Sequence, residues 1–125
     1  MEKKVIASPH APAALGPYSQ AIEAGGMIFT SGVIGVDPAT GTAEKDIEAQ
    51  TRQVFENLKA VLSEAGIGLD RVVKTTVFIK NMDDFGKINE IYAGYFDGAY
   101  PARSCVEVAR LPKDLLIEME AIAVR

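Results

Sequence analysis

The sequence predicts a two-layer α+β domain, in which a mixed sheet of about six strands carries two helices on one face. Three features predict this class: a long amphipathic segment, a shorter amphipathic segment, and β-branched or alternating segments placed before, between and after them. The predicted order is βββ-α-β-α-ββ, which is typical of a sheet with its helices on one side. The 125 residues suffice for one domain, which we expect to span residues 1–125.

The first part of the chain is predicted to contain short strands and irregular backbone. Residues 3–7 form a candidate strand, whereas residues 8–17 hold three prolines and a glycine and are expected to be irregular. Residues 19–24 and 27–34 are predicted to be strands, and Gly25-Gly26 between them is a hairpin signal.

The clearest helix is predicted over residues 46–65. Asp46 is the expected N-cap and Gly66 the expected stop. Apolar residues recur at helical spacing along one face, namely Ile47, Val54, Phe55, Leu58, Val61, Leu62 and Ala65.

The second half of the chain is predicted to hold the other helix and three strands. The helix covers residues 83–96, with Phe85, Ile88, Tyr92, Tyr95 and Phe96 on one stripe, although Gly86 and Gly94 weaken it. The predicted strands are residues 71–80, 102–109 and 115–124.

Composition and charge exclude several classes of function. Thirteen Lys and Arg against seventeen Asp and Glu give a net charge of −4, which does not suit a protein that neutralises a nucleic-acid backbone. One cysteine and one histidine exclude an internal disulfide and a Cys-rich zinc site. No signal peptide or membrane span is indicated, so we expect a soluble, cytoplasmic protein. No phosphate-binding loop, dinucleotide-binding glycine motif, zinc-protease motif or nucleophile elbow occurs.

One face of the sheet is expected to lack a helical cover. In the strand over residues 71–80, alternation places Val73, Val77 and Ile79 on one face and Val72 and Phe78 on the other. A single layer of two helices cannot bury both faces of the sheet. Either the second face is a moderately apolar exposed surface, or a second subunit covers it, and we favour the second subunit.

The last two strands each have a polar face. Arg103, Cys105 and Glu107 share one face of their strand, and Glu118 and Glu120 share one face of the next. These faces could simply be solvated, with cross-strand Arg–Glu pairs. The alternative is a pocket for a small anionic substrate, since arginine binds a carboxylate bidentately and glutamate transfers protons.

Three further positions leave alternatives open. Cys105 has no histidine nearby in sequence, because the only one, His10, lies in the proline-rich segment. A lone cysteine on a strand is more often a small buried residue than a nucleophile, and we favour that interpretation for Cys105. Tyr18 follows Gly16-Pro17 and is either a packing aromatic or a rigidly aimed site residue. Thr30-Ser31-Gly32 is either a turn or a close approach of backbone to a ligand.

The chain as a whole resembles the Rid family, also called YjgF-type proteins, and most closely its imine deaminase subgroup. The segments that carry the resemblance are APAALGPYSQAI, FTSGVIGVDPATG, AQTRQVFENLKAVLSEAG, VVKTTVFIKNMDDF and PARSCVEVARLPKDLLIEMEAIAVR. The resemblance implies a chorismate-mutase-like fold and a barrel-like homotrimer with active sites between subunits. It also implies that no cofactor is needed, while the motifs and the charge of the chain itself indicate no metal and no nucleic-acid partner. The implied activity is hydrolysis of reactive 2-imino acids, such as 2-iminobutanoate and 2-iminopropanoate, to 2-keto acids and ammonia, which protects pyridoxal-phosphate enzymes from damage.

The resemblance also implies roles for individual residues. Arg103 would bind the substrate carboxylate, Glu118 would act on the attacking water, and Tyr18 would be the pocket tyrosine; these three are the expected catalytic residues. Cys105 would act largely through its backbone and packing. Ser31, Gly32 and Asn89 also match substrate-binding positions. The stretch FDGAYPARS is about three residues shorter than in some relatives, which could alter the rim of the pocket.

Some relatives of this family have been described as translation inhibitors with endoribonuclease activity, or as chaperones. The charge of −4 and the single histidine argue against RNA as the main substrate. A third alternative is a trimer that only senses a ligand. Binding a carboxylate would need Arg103 but not Glu118, so the presence of both argues against this alternative.

Overall fold

The computed structural model describes residues 2–125 and confirms the two-layer α+β class. Its strands are β1 (Lys4–Ile6), β2 (Ala21–Ala24), β3 (Met27–Thr30), β4 (Val33–Ile34), β5 (Val72–Ile79), β6 (Ala102–Glu107) and β7 (Ile117–Val124). Its helices are α1 (Ile47–Glu64) and α2 (Phe85–Tyr95), and short 3-10 turns occur at Leu69–Arg71, Met82–Asp84 and Pro112–Asp114. The described residues thus have one strand more than predicted, because the segment 27–34 is divided into β3 and β4.

The strands form one mixed sheet in the order β1-β2-β3-β7-β5-β6, and β4 pairs with β7 beyond the end of β3. Only β5 and β6 are parallel, and α2 forms the crossover between them. Strand β6 therefore lies at an edge of the sheet.

The break between β3 and β4 shapes the site described below. β3 pairs with β7 up to Phe29, and β4 resumes pairing at Val33. In between, the hydroxyl of Thr30 accepts a hydrogen bond of 2.9 Å from the backbone N–H of Ala121, so this group of β7 keeps a partner. Ser31 and Gly32 are released from the ladder, as happens at irregularities beside many functional sites.

Helix α1 begins and ends as its sequence predicts. The Asp46 carboxylate accepts a hydrogen bond of 3.0 Å from the backbone N–H of Ala49, which confirms the N-cap. Gly66, just beyond the helix, has φ of 81°, a conformation that favours glycine. The apolar face packs on the sheet and forms most of the core with it.

Helix α2 is shorter than predicted because Asn81 starts a separate 3-10 turn before it. The side chain of Asn81 accepts a hydrogen bond of 2.9 Å from the N–H of Asp83, which stabilises that turn. Ile88, Tyr92 and Phe96 are buried, as the apolar stripe predicts. No helix among residues 2–125 is long and apolar enough to cross a membrane.

The predicted assignment of faces in β5 is wrong at its start. A register irregularity between Val72 and Lys74 inserts an extra residue, so Val72 lies on the helix-covered face with Val77 and Ile79, and Val73 is exposed. Both helices lie on that same face. The other face has no cover and includes Phe29 and Val106, whose exposed fractions are 41% and 43%.

Candidate functional site

A cavity of about 360 Å³ lies between the N-terminal segment, the β3–β4 break and α1. Tyr18, Ser31 and Gly32, three of the predicted site residues, line it. Much of the remaining wall is aliphatic, and Lys113 is the one charged residue of the described chain that lines it. Its size and mixed lining suit a small organic molecule with few polar groups.

The N-terminal wall of this cavity is held in place by Gln20. Its side-chain oxygen accepts a hydrogen bond of 2.6 Å from the N–H of Ser8, and its amide donates to the carbonyls of Ser8 and Pro12 at 3.2 and 2.9 Å. These three bonds fasten the proline-rich segment to the start of β2. One amide side chain therefore fixes the irregular backbone predicted for residues 8–17 at two points, Ser8 and Pro12.

Ser31 is engaged with the backbone next to Tyr18. Its hydroxyl donates to the carbonyl of Ser19 at 2.6 Å, and its N–H donates to the carbonyl of Gln20 at 2.9 Å. Ser31 thereby fixes the loop that carries Tyr18, whose side chain remains exposed. In this arrangement the hydroxyl proton of Ser31 is not available to a ligand.

The carboxyl group of Glu118 lies directly against Gly32. A Cβ atom built on Gly32 would stand 2.4 Å from Oε2 and 2.6 Å from Cδ of Glu118, so only glycine fits there without displacing the carboxyl. Burial raises the pKa of Glu118, and the neighbouring negative charge of Glu120 raises it further. A carboxyl whose pKa lies closer to neutrality is suited to accept and return a proton.

Arg103 belongs to a second cluster, beside α2. Its Nη1 donates to Oδ1 of Asn89 at 2.7 Å, and its guanidinium carbon lies 4.8 Å from the ring centre of Tyr92 and 5.2 Å from that of Phe85. No carboxylate of residues 2–125 lies within ion-pair distance of it. A half-buried guanidinium held only by an amide oxygen and two rings retains donors for an anion.

Cys105 shares the sheet face of Arg103, as the alternation predicts. Burial raises the pKa of its thiol, and the nearby charge of Arg103 offsets this only in part, so the thiol remains protonated at neutral pH. Glu107, on the same face, accepts a hydrogen bond of 2.8 Å from the N–H of Met82 and so has a structural partner. His10 is exposed.

A single chain does not bring Arg103 and Glu118 together. Arg103 pairs with Thr75 and lies on the helix-covered face, whereas Glu118 pairs with Phe78 and lies on the uncovered face. Because β5 separates their strands, they are about 10 Å apart across the sheet, and a three-residue offset adds about 10 Å along it. The predicted residues therefore form two separate groups. The first, which we call the cavity group, consists of Tyr18, Ser31 and Gly32, which line the cavity, and Glu118, which contacts Gly32 but does not line it. The second, which we call the arginine group, consists of Asn89, Arg103 and Cys105.

Several residues that support these two groups were not singled out from the sequence. Gln20 lies inside the motif GPYSQA, but a glutamine beside a strand carries no chemical signature of its own. Phe85 and Tyr92 were assigned to the core by their helical spacing, and only the position of β6 against α2 shows that they also contact Arg103. Among residues 2–125, no group of three or more His, Cys, Asp or Glu side chains could hold a metal ion.

Comparison with known proteins gives concordant matches over almost the whole chain. The family described as Endoribonuclease L-PSP matches residues 8–125. A protein of Salmonella typhimurium named 2-iminobutanoate/2-iminopropanoate deaminase is 54% identical over 125 residues, which are 98% of this chain and 98% of that protein.

Two solved structures have the same fold. A protein of unknown function of the conserved Rid protein family from Yersinia pestis is 52% identical and has a TM-score of 0.97, over 99% of this chain and 100% of that one. The Escherichia coli protein TdcF, solved with bound serine, is 50% identical and has a TM-score of 0.95, over 98% of each chain.

Proposed function

The chain belongs to the Endoribonuclease L-PSP family, the Rid or YjgF-type family, and from that premise we propose that it is a hydrolytic deaminase of 2-imino acids. The products are 2-keto acids and ammonia, and 2-iminobutanoate and 2-iminopropanoate are the expected substrates. The observation that carries the proposal is the half-buried guanidinium of Arg103, which has no acidic partner in the described chain and can receive the substrate carboxylate.

The reaction requires a bound carboxylate, a positioned water and a group that moves protons. Arg103 binds the carboxylate, and Glu118 takes a proton from water as its oxygen attacks the carbon of the C=N bond. The electron pair of that bond moves to nitrogen, which takes up the proton that Glu118 removed from water. In the resulting amino alcohol, Glu118 accepts the hydroxyl proton as the C=O bond forms and the C–N bond breaks, and it passes this proton to the leaving nitrogen, so that the keto acid and ammonia are released. Holding substrate and water together supplies the remaining rate increase.

A complete site requires two copies of the chain. The cavity group carries the carboxyl group that acts on water, the arginine group carries the carboxylate clamp, and the sheet separates them in one chain. We propose a homotrimer in which the arginine group of one subunit faces the cavity group of the next. The uncovered, partly apolar sheet face supports this proposal, because burying residues such as Phe29 and Val106 stabilises an assembly.

We expect light scattering to give three times the 13.4 kDa chain mass, with no stable monomer at micromolar concentration. Replacing Phe29 on the uncovered face by Glu should dissociate the assembly, because it buries a charge at the interface. Activity should then be lost together with the trimer, although neither Arg103 nor Glu118 has changed. A fully active monomer would contradict both the assembly and the shared site.

The proposed activity is tested with imine made in place. Threonine and a pyridoxal-phosphate dehydratase generate 2-iminobutanoate, and release of 2-oxobutanoate is timed with and without this protein. We expect the keto acid to appear faster when the protein is present, in proportion to its concentration. Release at the uncatalysed rate, with an oligomeric and folded protein, would exclude the activity for this substrate.

Gly32 offers a test of the carboxyl position. In Gly32→Ala, the new Cβ would stand 2.4 Å from Oε2 of Glu118, so this flexible carboxyl must move. We expect kcat to fall by about 10-fold or more, since small displacements of a catalytic group are costly, while thermal stability changes little. Gly94→Ala is the matched control, because a Cβ there meets nothing within 4 Å. Normal kcat in Gly32→Ala would argue against the assigned position of Glu118.

Action on RNA is not favoured by any observation on this chain, despite the name of the family. The net charge is −4, and the only histidine, His10, is exposed in the proline-rich segment outside both groups. The chain offers no paired histidines for the acid–base chemistry of RNA cleavage.

A further inference from the structure

The guanidinium of Arg103 rests on Tyr92, and Tyr92 is itself fixed by a hydrogen bond that the reaction does not require. The hydroxyls of Tyr92 and Thr75 are 2.7 Å apart. Both residues are buried, with exposed fractions of 5% and 1%. Thr75 lies directly opposite Arg103 in the pairing of β5 with β6, so these two side chains share one face of the sheet at one level, and Tyr92 of α2 contacts both of them.

Apart from this hydrogen bond, the side chain of Tyr92 is held by aromatic packing. Tyr92 contacts Phe55 edge-on at 5.5 Å and Phe96 at 5.0 Å between ring centres. These contacts confine the ring within the aromatic core, whereas the bond to Thr75 fixes its hydroxyl end. Burial raises the pKa of Tyr92, so the hydroxyl stays neutral and remains a hydrogen-bonding partner for Thr75.

The other contacts of Arg103 lie on the same helix. Asn89 and Tyr92 are three residues apart on α2 and therefore occupy one side of it. The side-chain oxygen of Asn89 accepts a hydrogen bond from Nη1 of Arg103, so this predicted substrate-binding residue contacts the arginine in the single chain. Nη2 and Nε of Arg103 have no hydrogen-bond partner in the described chain and are the donors left for a carboxylate.

We propose that Thr75 is a positioning residue, whose hydroxyl fixes the Tyr92 ring as the surface on which the guanidinium of Arg103 is held ready for the substrate carboxylate. This inference rests on the proposed function. A free arginine side chain has many rotamers, and ordering it at the moment of binding weakens affinity. The Thr75–Tyr92 pair orders it beforehand. Because substrate and transition state both contain the carboxylate, the benefit belongs to KM rather than to kcat.

The test is a double-mutant cycle on the two hydroxyls. Thr75→Val and Tyr92→Phe each leave one buried hydroxyl without its partner, so both should lose stability. The double variant removes both hydroxyls, and its stability should return close to that of the parent protein. We expect all three variants to raise KM for 2-iminobutanoate by about 3- to 10-fold, the range that corresponds to ordering one long side chain, with kcat within about 2-fold.

Two control variants separate positioning from a general loss of a buried hydroxyl. Thr75→Ser keeps the hydroxyl and should restore the parent KM. Thr51→Val removes a buried threonine hydroxyl that donates to the carbonyl of Ile47 on α1, away from Arg103, and should leave KM unchanged. A parent-like KM in the stable double variant would overturn the role of Thr75.

Binding of the product 2-oxobutanoate, measured by calorimetry on the intact oligomer, gives a readout that is independent of turnover. Affinity should fall in the three cycle variants by the same factor as KM rises. If the parent protein neither turns over the imine nor binds the keto acid, the proposed function has failed. If it does both and the variants match it, only the positioning role is refuted.

Discussion

Arg103→Ala is expected to lower kcat/KM of the deaminase severely while leaving a folded oligomer. The substitution removes the one guanidinium of the arginine group, and no other cation in that group can bind the carboxylate. Losing a partly buried, charge-assisted pair costs about 2 to 5 kcal/mol, which lowers kcat/KM by about 30-fold to several thousand-fold. The measurement is kcat/KM for 2-iminobutanoate, with light scattering and circular dichroism to verify the fold.

Two further substitutions define what Arg103 contributes. Arg103→Lys keeps the charge but loses the planar fork and its stacking on Tyr92 and Phe85, so it should rescue little. Arg71→Ala removes a largely exposed arginine elsewhere and should retain normal kinetics, which excludes an effect of net charge. A kcat/KM close to that of the parent in a folded Arg103→Ala variant would show that the carboxylate is bound by other residues.

Local chemistry explains which parts of the fold could be predicted. Interactions within a few residues determine three features that were predicted correctly. These are the N-cap at Asp46, the helix stop at Gly66 and the hairpin turn at Gly25-Gly26, whose φ angles are 60° and 76°. The bulge after Val72 and the break after Thr30 depend instead on how β7 pairs with its neighbours. Such register is set by contacts distant in sequence, and alternation along one strand cannot reveal it.

The same limit applies to the site. Alternation correctly placed Arg103 with Cys105, and Glu118 with Glu120, within their own strands. It could not show that the first pair lies on the helix-covered face and the second on the open one, because that follows from the pairing of both strands with β5. Only the structure therefore shows that the predicted residues divide into two groups, which is why we propose that a second copy of the chain completes the site.

Glu118→Gln is expected to lower kcat by about 10²- to 10⁴-fold, the usual contribution of a general base, with a smaller effect on KM. The amide keeps the shape of the side chain against Gly32 but cannot accept the proton of water.

The free energy of unfolding of the Glu118→Gln variant should not fall at neutral pH. The pKa of Glu118 is raised in the folded state, so the folded protein binds the proton more tightly than the unfolded chain, and ionisation costs stability as the pH rises through that raised pKa. A neutral amide removes this cost at neutral pH.

Cys105→Ala provides the contrasting variant, since the two mechanisms available to this site make opposite predictions for it. If water attacks the imine, only packing is lost and kcat should remain within about 10-fold of the parent. If the sulfur attacked instead, the variant would be as inactive as Glu118→Gln. The raised pKa of the thiol favours the first outcome, because the nucleophile would be the thiolate. An inactive Cys105→Ala variant, or a covalent adduct trapped on the sulfur, would overturn the attack by water.

Glu120→Gln tests whether the raised pKa of Glu118 governs the rate. Glu120 is exposed, lies two residues away on the same face, and contributes to the raised pKa through its negative charge. Removing that charge lowers the pKa of Glu118, so the base stays ionised to lower pH. The acidic limb of the pH–kcat profile should therefore move to lower pH, while kcat at neutral pH stays close to that of the parent. A limb that does not move, or moves upward, would mean that another group controls the rate in acid, and Glu118 would then lose its assigned role as the base.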